Sequence, residues 1–191
     1  MIYVVRHGHT DWNKEKITMG RKDIPLNDEG LEEAHNTSKK INNIDFDLII
    51  SSPLVRAKQT AEIINEERNN QIVFDERIQE RSLGDLEGKK YTNDNNDIWD
   101  INLNVDSFGI ETMEDFKERV FSFLNEIIET YPEQNILLVT HGGVSALINC
   151  YFNNTLYEGS ISNKFLKNCE YTCYGIEKNK VLKKNINLVN Y

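Results

Sequence analysis

Cysteine, positive charge and long apolar runs are all scarce in this sequence. Its three cysteines, Cys150, Cys169 and Cys173, are an odd number without zinc-type spacing, which argues against a disulfide framework or a structural zinc site. They read as reduced thiols of a cytoplasmic protein. Cys169 and Cys173, four apart in a strand-like stretch, are expected to share one face of it and to pack in the core. Lys and Arg number 22 against 31 Asp and Glu, for a formal charge of -9. Nucleic acid is therefore not an expected partner, because its binders carry a basic stripe. The same charge repels anions at long range, so any anion site has to come from a local cluster of Arg and Lys. No stretch approaches the roughly 20 apolar residues of a membrane span, so no membrane partner is expected either. Arg6 and His7 arrive too early for the apolar core of a secretion signal. There is no internal repeat, and the one biased patch, Thr92 to Asp97, reads as a polar loop or helix start too short to link domains.

What is present suits one domain over residues 1–191, since 39% hydrophobic content at this length supports a full core. Ile2 to Val5, Asp47 to Ile50, Ile72 to Phe74 and Ile136 to Val139 are short apolar runs of buried-strand character. Between them lie helical patterns. One follows an N-cap at Asn27 with acids in its first turn and carries Leu31, Ala34, Ser38 and Ile41 at helical spacing. A second runs from about Leu54 to Glu67, with Ala57, Thr60, Ala61 and Ile64 on one face. A third, Glu114 to Tyr131, buries Phe116, Val120, Phe123, Leu124, Ile127 and Ile128. A fourth continues from Gly142 through Tyr151. The tail reads as two strands, Glu170 to Ile176 and Lys180 to Ile186, joined by a turn at Lys178 to Lys180. Strands alternating with helices predict an α/β three-layer sandwich, a mainly parallel central sheet with helices on both faces. The first and fourth strands are expected at its centre.

Two of these strands end alike, in Val5-Arg6-His7-Gly8 and Val139-Thr140-His141-Gly142. As parallel neighbours they would set two imidazoles side by side at the carboxyl rim, where open α/β sheets bind ligands. Arg56, in the first turn after the second strand, brings a second guanidinium to the rim beside Arg6. Gly8 allows close approach to the backbone, and Gly142 and Gly143 open a helix whose N–H groups suit an anion. A bidentate arginine pair fits a phosphomonoester. A histidine can attack its phosphorus, and the leaving alkoxide then needs a proton from a carboxylic acid. Glu80, on the loop after the third strand, is the candidate acid, against a surface carboxylate paired with Arg77 or Arg81.

Together these residues resemble the histidine phosphatase superfamily, also called phosphoglycerate-mutase-like. The resemblance runs from Ile2 to about Ala146. It rests on Arg6-His7-Gly8-x-Thr10 with Asn13, on Gly20-Arg21-x-Asp23-x-Pro25-Leu26 with Gly30, and on Ser51-Ser52-Pro53 with Arg56, Ala57 and Thr60. It continues through Glu80 with Gly84, Glu87 and Gly88, then Gly109-x-Glu111-Thr112 with Arg119, and Thr140-His141-Gly142-Gly143. It implies that His7 is the phosphorylated nucleophile, that Arg6, Arg56 and His141 hold the phosphoryl group, that Glu80 donates the proton, and that Asn13 is a further phosphate contact. No metal or organic cofactor is implied. The expected partner is a small phosphorylated metabolite, met by a monomer or homodimer. His9 stands where members often carry Glu, Met19 where many carry a polar residue, and Ile110 where a Gly is common.

The interval from Gly88 to Phe108 is shorter than the mutases of the family carry, which favours hydrolysis over a cofactor-dependent phosphoglycerate mutase. The length suits the α-ribazole phosphatases and the broad-specificity members alike. Two readings of other kinds remain: a metal site on His7, His9 and His141, disfavoured by Arg6 and Arg56, and a phospho-ligand binder without turnover.

Overall fold

Side-chain alternation along the strands decides which helices cover which face. The computed structural model describes residues 1–91, 98–100, 109–155 and 159–176. Its strands β1 (Ile2–Arg6), β2 (Leu48–Ser51), β3 (Ile72–Phe74), β4 (Ile136–Thr140) and β5 (Tyr171–Tyr174) form one sheet in the order β3-β2-β4-β1-β5. All pairs are parallel except β1 with β5. On one face Val4, Ile50 and Leu138 meet Phe116, Val120, Phe123 and Leu124 of α4 (Met113–Thr130) and Ala146 to Ile148 of α5 (Gly142–Asn153). On the other, Val5, Ile49 and Val139 meet Ala57, Ala61 and Ile64 of α3 (Val55–Asn65) and Ile41, which ends α2 (Asp28–Lys40). That is the three-layer α/β arrangement expected, with β4 in the middle and β1 beside it. Each fully buried aliphatic or aromatic chain in these layers contributes about 1.5–3 kcal/mol over its exposed state.

Local chemistry sets the helix ends. Asn27 caps α2 by accepting from the Gly30 N–H at 2.9 Å, as its sequence position predicts. Thr112 does the same for α4 through the Asp115 N–H. Thr10 and Asn13 cap the one-turn α1 (Asp11–Lys14) reciprocally. Ile128 is only partly buried, at the margin of the α4 stripe.

One expectation changes. Cys169 is not in the tail strand with Cys173. It stands before β5 with φ +53°, giving its N–H to the Arg6 carbonyl at 3.0 Å and taking the Thr37 hydroxyl on its own carbonyl. A left-handed turn is what lets the chain reverse into an antiparallel edge strand there. Both thiols are nevertheless buried. The expected second tail strand, its turn and the Thr92 to Asp97 patch lie outside the described residues. Among the described residues no helix is long and apolar enough to cross a membrane.

Candidate active site

Parallel register carries the two histidines to one place. Arg6 pairs with Thr140 at the end of β1 and β4, so His7 and His141 leave adjacent strands at the same level. Their ring centroids are 5.2 Å apart. His7 is fixed by its backbone: its N–H donates to the Thr140 carbonyl, and its carbonyl accepts from Asn168 Nδ2 at 3.0 Å. Nδ1 of His7 lies 2.8 Å from the Gly8 carbonyl, which is only an acceptor, so Nδ1 carries the ring proton. That leaves Nε2 as the nitrogen with a lone pair. It accepts from Arg56 Nε at 3.3 Å.

Arg56 is buried in the first turn of α3 and donates to the carbonyls of Gly20 and Lys22, at 2.8 Å each. Burial pushes its pKa down to about 10, with Glu80 and Asp23 opposing the shift. It is still a cation at neutral pH. Burial, then Arg56 and Arg6, hold His7 well below the ordinary imidazole range. His141 is lowered in the same way, by burial, Arg56, His7 and Arg6. Both rings are therefore neutral at pH 7.

Ser52 sets the second imidazole. Its hydroxyl accepts the Leu54 N–H and lies 2.7 Å from His141 Nε2, so giving its own proton to Nε2 satisfies both groups. Nδ1 of His141 then bears a hydrogen. Among the described residues that buried atom has no partner, and neither has buried Nε of Arg6, whose Nη1 donates to the Leu166 carbonyl. Buried donors without acceptors are uncommon, and an anion satisfies such a pair.

Glu80 is 8% exposed, not a surface acid. Its Oε1 accepts from the Arg81 N–H and its Oε2 from the Gly143 N–H, both at 3.0 Å. The Gly143 amide, expected to face an anion, thus holds the carboxyl instead. A Cβ at position 143 would stand 2.5 Å from both Glu80 Oε1 and Trp99 Cζ3. Only glycine lets the acid and the indole come that close to the start of α5.

Arg6, His7, Arg56 and Glu80 line one cavity of about 110 Å³. The rest of its wall is mostly apolar: Met19, Leu83, Tyr91, Ile98, Trp99 and Phe165. Gly142 opens α5 beside the Arg6 guanidinium. Gly8, Asn13, His141 and Gly142 are not in that lining. The Gly8 N–H donates to Thr60 Oγ1 and its carbonyl faces the His7 ring, while a Cβ there would stand 2.5 Å from the Gly30 carbonyl. Asn13 Oδ1 takes the N–H and hydroxyl of Thr10 in the cap. His9 turns away from the other two histidines: its Nδ1 is 2.8 Å from Glu33 Oε1, and its N–H donates to Glu33 Oε2. Among the described residues, the set able to share a cation is His9, Glu29 and Glu33, with ligand atoms within 4.8 Å of one another. It includes neither His7 nor His141, so the three-histidine metal site is not assembled. Ser52 and Thr60 are the contributors that sequence reading left without a role, although both fall inside its motifs.

Residues 2–189 match the histidine phosphatase superfamily, branch 1. The chain is 37% identical over 148 residues to the uncharacterized phosphatase PhoE of Bacillus subtilis (strain 168), covering 74% of this chain and 71% of that one. YhfR of Bacillus stearothermophilus superposes with a TM-score of 0.84 at 26% identity, over 94% of this chain and 92% of the other. The α-ribazole phosphatase of Shigella flexneri shares the fold, with a TM-score of 0.82 at 24% identity over 94% and 92%. The chain belongs to the histidine phosphatase superfamily, in which a phosphohistidine mechanism is typical.

Proposed function

We propose that this protein hydrolyses small phosphate monoesters whose alcohol portion is apolar or aromatic. The reading rests above all on two buried donors without a partner among the described residues, Arg6 Nε and His141 Nδ1, around a histidine whose lone-pair nitrogen is Nε2. The phosphoryl oxygens take these donors and the Arg56 Nε–H, which gives up its bond to His7. With Glu80 entering the step as the protonated acid, Nε2 attacks phosphorus, the ester P–O bond breaks, and Glu80 gives that proton to the departing oxygen. Water then attacks the phosphohistidine. The Glu80 carboxylate takes the water's proton, inorganic phosphate leaves, and both side chains return to their starting forms. A phosphorylated His7 keeps its Nδ1–H on the Gly8 carbonyl, which supports the positive ring.

The apolar wall supports the substrate class. Among the described residues, Arg6 and Arg56 are the cations that line it, and both serve the phosphoryl group. A substrate carboxylate would thus be desolvated without a partner, which is costly. The volume is also small against the roughly 300–1,000 Å³ of pockets for drug-sized ligands. This reading favours a broad-specificity enzyme over a phosphoglycerate mutase or one dedicated to α-ribazole 5′-phosphate. Phosphate release from phenyl phosphate, 3-phosphoglycerate and α-ribazole 5′-phosphate tests it, with and without 2,3-bisphosphoglycerate. Phenyl phosphate is expected to give the highest kcat/KM. A clear preference for 3-phosphoglycerate, or isomerisation with the bisphosphate, overturns it. Release of no phosphate from any ester, with substrate bound, marks a binder without turnover.

A further inference from the structure

Three motif residues have no part in the chemistry above: Arg21, Glu111 and Arg119. None lines the cavity. They meet around the backbone of the acid loop. Arg119 stands two turns into α4, eight residues after Glu111, and its Nε and Nη2 grip the two Glu111 oxygens at 2.6 and 2.9 Å. This is the fork-to-fork geometry that makes an arginine–carboxylate pair strong and directional. The other edge of the same guanidinium reaches the loop. Its Nη1 donates to the carbonyls of Arg77 and Gln79 at 2.6 and 2.8 Å, and Nη2 donates to that of Glu80 at 3.1 Å. Glu111 closes from the far side, accepting the Ser82 N–H at 3.1 Å on Oε2, while its own N–H donates to the Ser82 carbonyl at 3.0 Å. Arg21 completes the frame, with Nε on the Glu80 carbonyl and Nη2 on Glu111 Oε1, at 3.2 Å each.

The backbone is therefore held at Gln79, Glu80 and Ser82 by charged groups, while the Glu80 carboxyl is held by two amides. We infer that Glu111 and Arg119, with Arg21, are positioning residues that fix where the Glu80 proton is delivered. The inference rests on Glu80 being the acid of the proposed hydrolysis. The oxygens of Glu80 sit 3.0 Å from their donors, and misplacing a reacting group by about 1 Å reduces rate by on the order of 100-fold. The nucleophile is secured separately, through Thr140, Gly8 and Asn168. Loosening the frame should consequently slow departure of a poor leaving group and spare phosphorylation of His7 by an ester that needs no proton.

The test compares Glu111→Gln, Arg119→Lys and Arg21→Gln on phenyl phosphate, a poor leaving group, and 2,4-dinitrophenyl phosphate, an activated one. Arg21 is 39% exposed at its side chain, so its variant is expected to fold even if the inner two do not. For Glu111→Gln and Arg119→Lys, kcat on phenyl phosphate is expected to fall about 30–100-fold and phosphohistidine formation from the activated ester to fall less than about 3-fold. Arg21→Gln should show the same split at about 3–10-fold, as one of several donors is lost. In a Glu80→Gln background the additional loss should disappear, because positioning residues act through the group they position. Equal losses on both esters, no loss on either, or full additivity with Glu80→Gln overturns the positioning role and leaves the phosphatase reading intact. Wild-type protein that releases phosphate from neither ester overturns both.

Discussion

The two halves of the cavity are built on opposite electrostatic plans. On the nucleophile side, His7 and His141 are neutral rings sealed in the interior and oriented by backbone carbonyls and one serine hydroxyl. On the acid side, Glu80 sits on a loop braced by a carboxylate and two guanidinium groups at the edge of solvent. The first plan excludes water so that a ring nitrogen keeps its lone pair at neutral pH. The second relies on charge because a loop lacks the ladder of bonds that holds a strand end. A side chain can thus be placed by burial or by ionic bracing, and the proposed nucleophile and the proposed acid each use one.

The largest expected effect comes from removing the proposed nucleophile. His7→Ala should stay folded and lose turnover on poor and activated esters alike, as measured by phosphate release. A variant that kept the activated ester would erase the distinction between the halves. The next effect is on stability. Both histidines have folded pKa values below the ordinary 6.5, so above pH 6.5 the neutral rings cost nothing in protonation. As pH falls below 6.5 the unfolded chain takes up two protons that the folded chain does not. Stability should then fall at a slope approaching about 2.7 kcal/mol per pH unit for the pair, until the folded values are reached. Urea unfolding at pH 7.0, 6.0 and 5.5 measures it, and His141→Asn should halve the slope. A flat profile would remove the buried-neutral account of this half. The smallest effect is expected from Ser52→Ala. It leaves His141 Nε2 unpartnered and should destabilise by about 1–2 kcal/mol, with a several-fold rise in KM at little change in kcat. A fall in kcat with KM unchanged would mean that His141 acts later than binding.

The nucleophile half was legible in the sequence and the acid half only in outline. A β-branched strand ending in Arg-His-Gly, repeated as Thr-His-Gly, states its own chemistry, and parallel pairing follows from βαβ alternation. Arg56 follows equally, because the first turn of a helix after a strand lies at that strand's carboxyl rim. The bracing of Glu80 does not follow. Arg21 and Glu111 are 90 residues apart, and nothing in their spacing says that both close on one loop. Glu111 and Arg119 carry a faint signal, two turns apart across a helix N-cap, but its meaning depends on where residues 77–82 pass. Gly143 misled for a related reason. A helix N-terminus attracts an anion, and here the protein supplies its own carboxyl. The Asn13 side-chain oxygen likewise goes to the short-range cap with Thr10, a pairing three residues apart that its position allows.

The apolar wall has a further implication for how such an enzyme could diversify. Met19, Leu83 and Tyr91 touch the cavity from loops, apart from the strand ends and helix starts that carry the chemistry. Leu83 belongs to the buried core, but Met19 and Tyr91 do not, so their side chains can be exchanged with little disturbance to His7 or its two guanidinium neighbours. Selection could therefore reshape what is accepted while the reaction itself is inherited unchanged, so that a narrow catalyst and a permissive one lie only a few loop replacements apart.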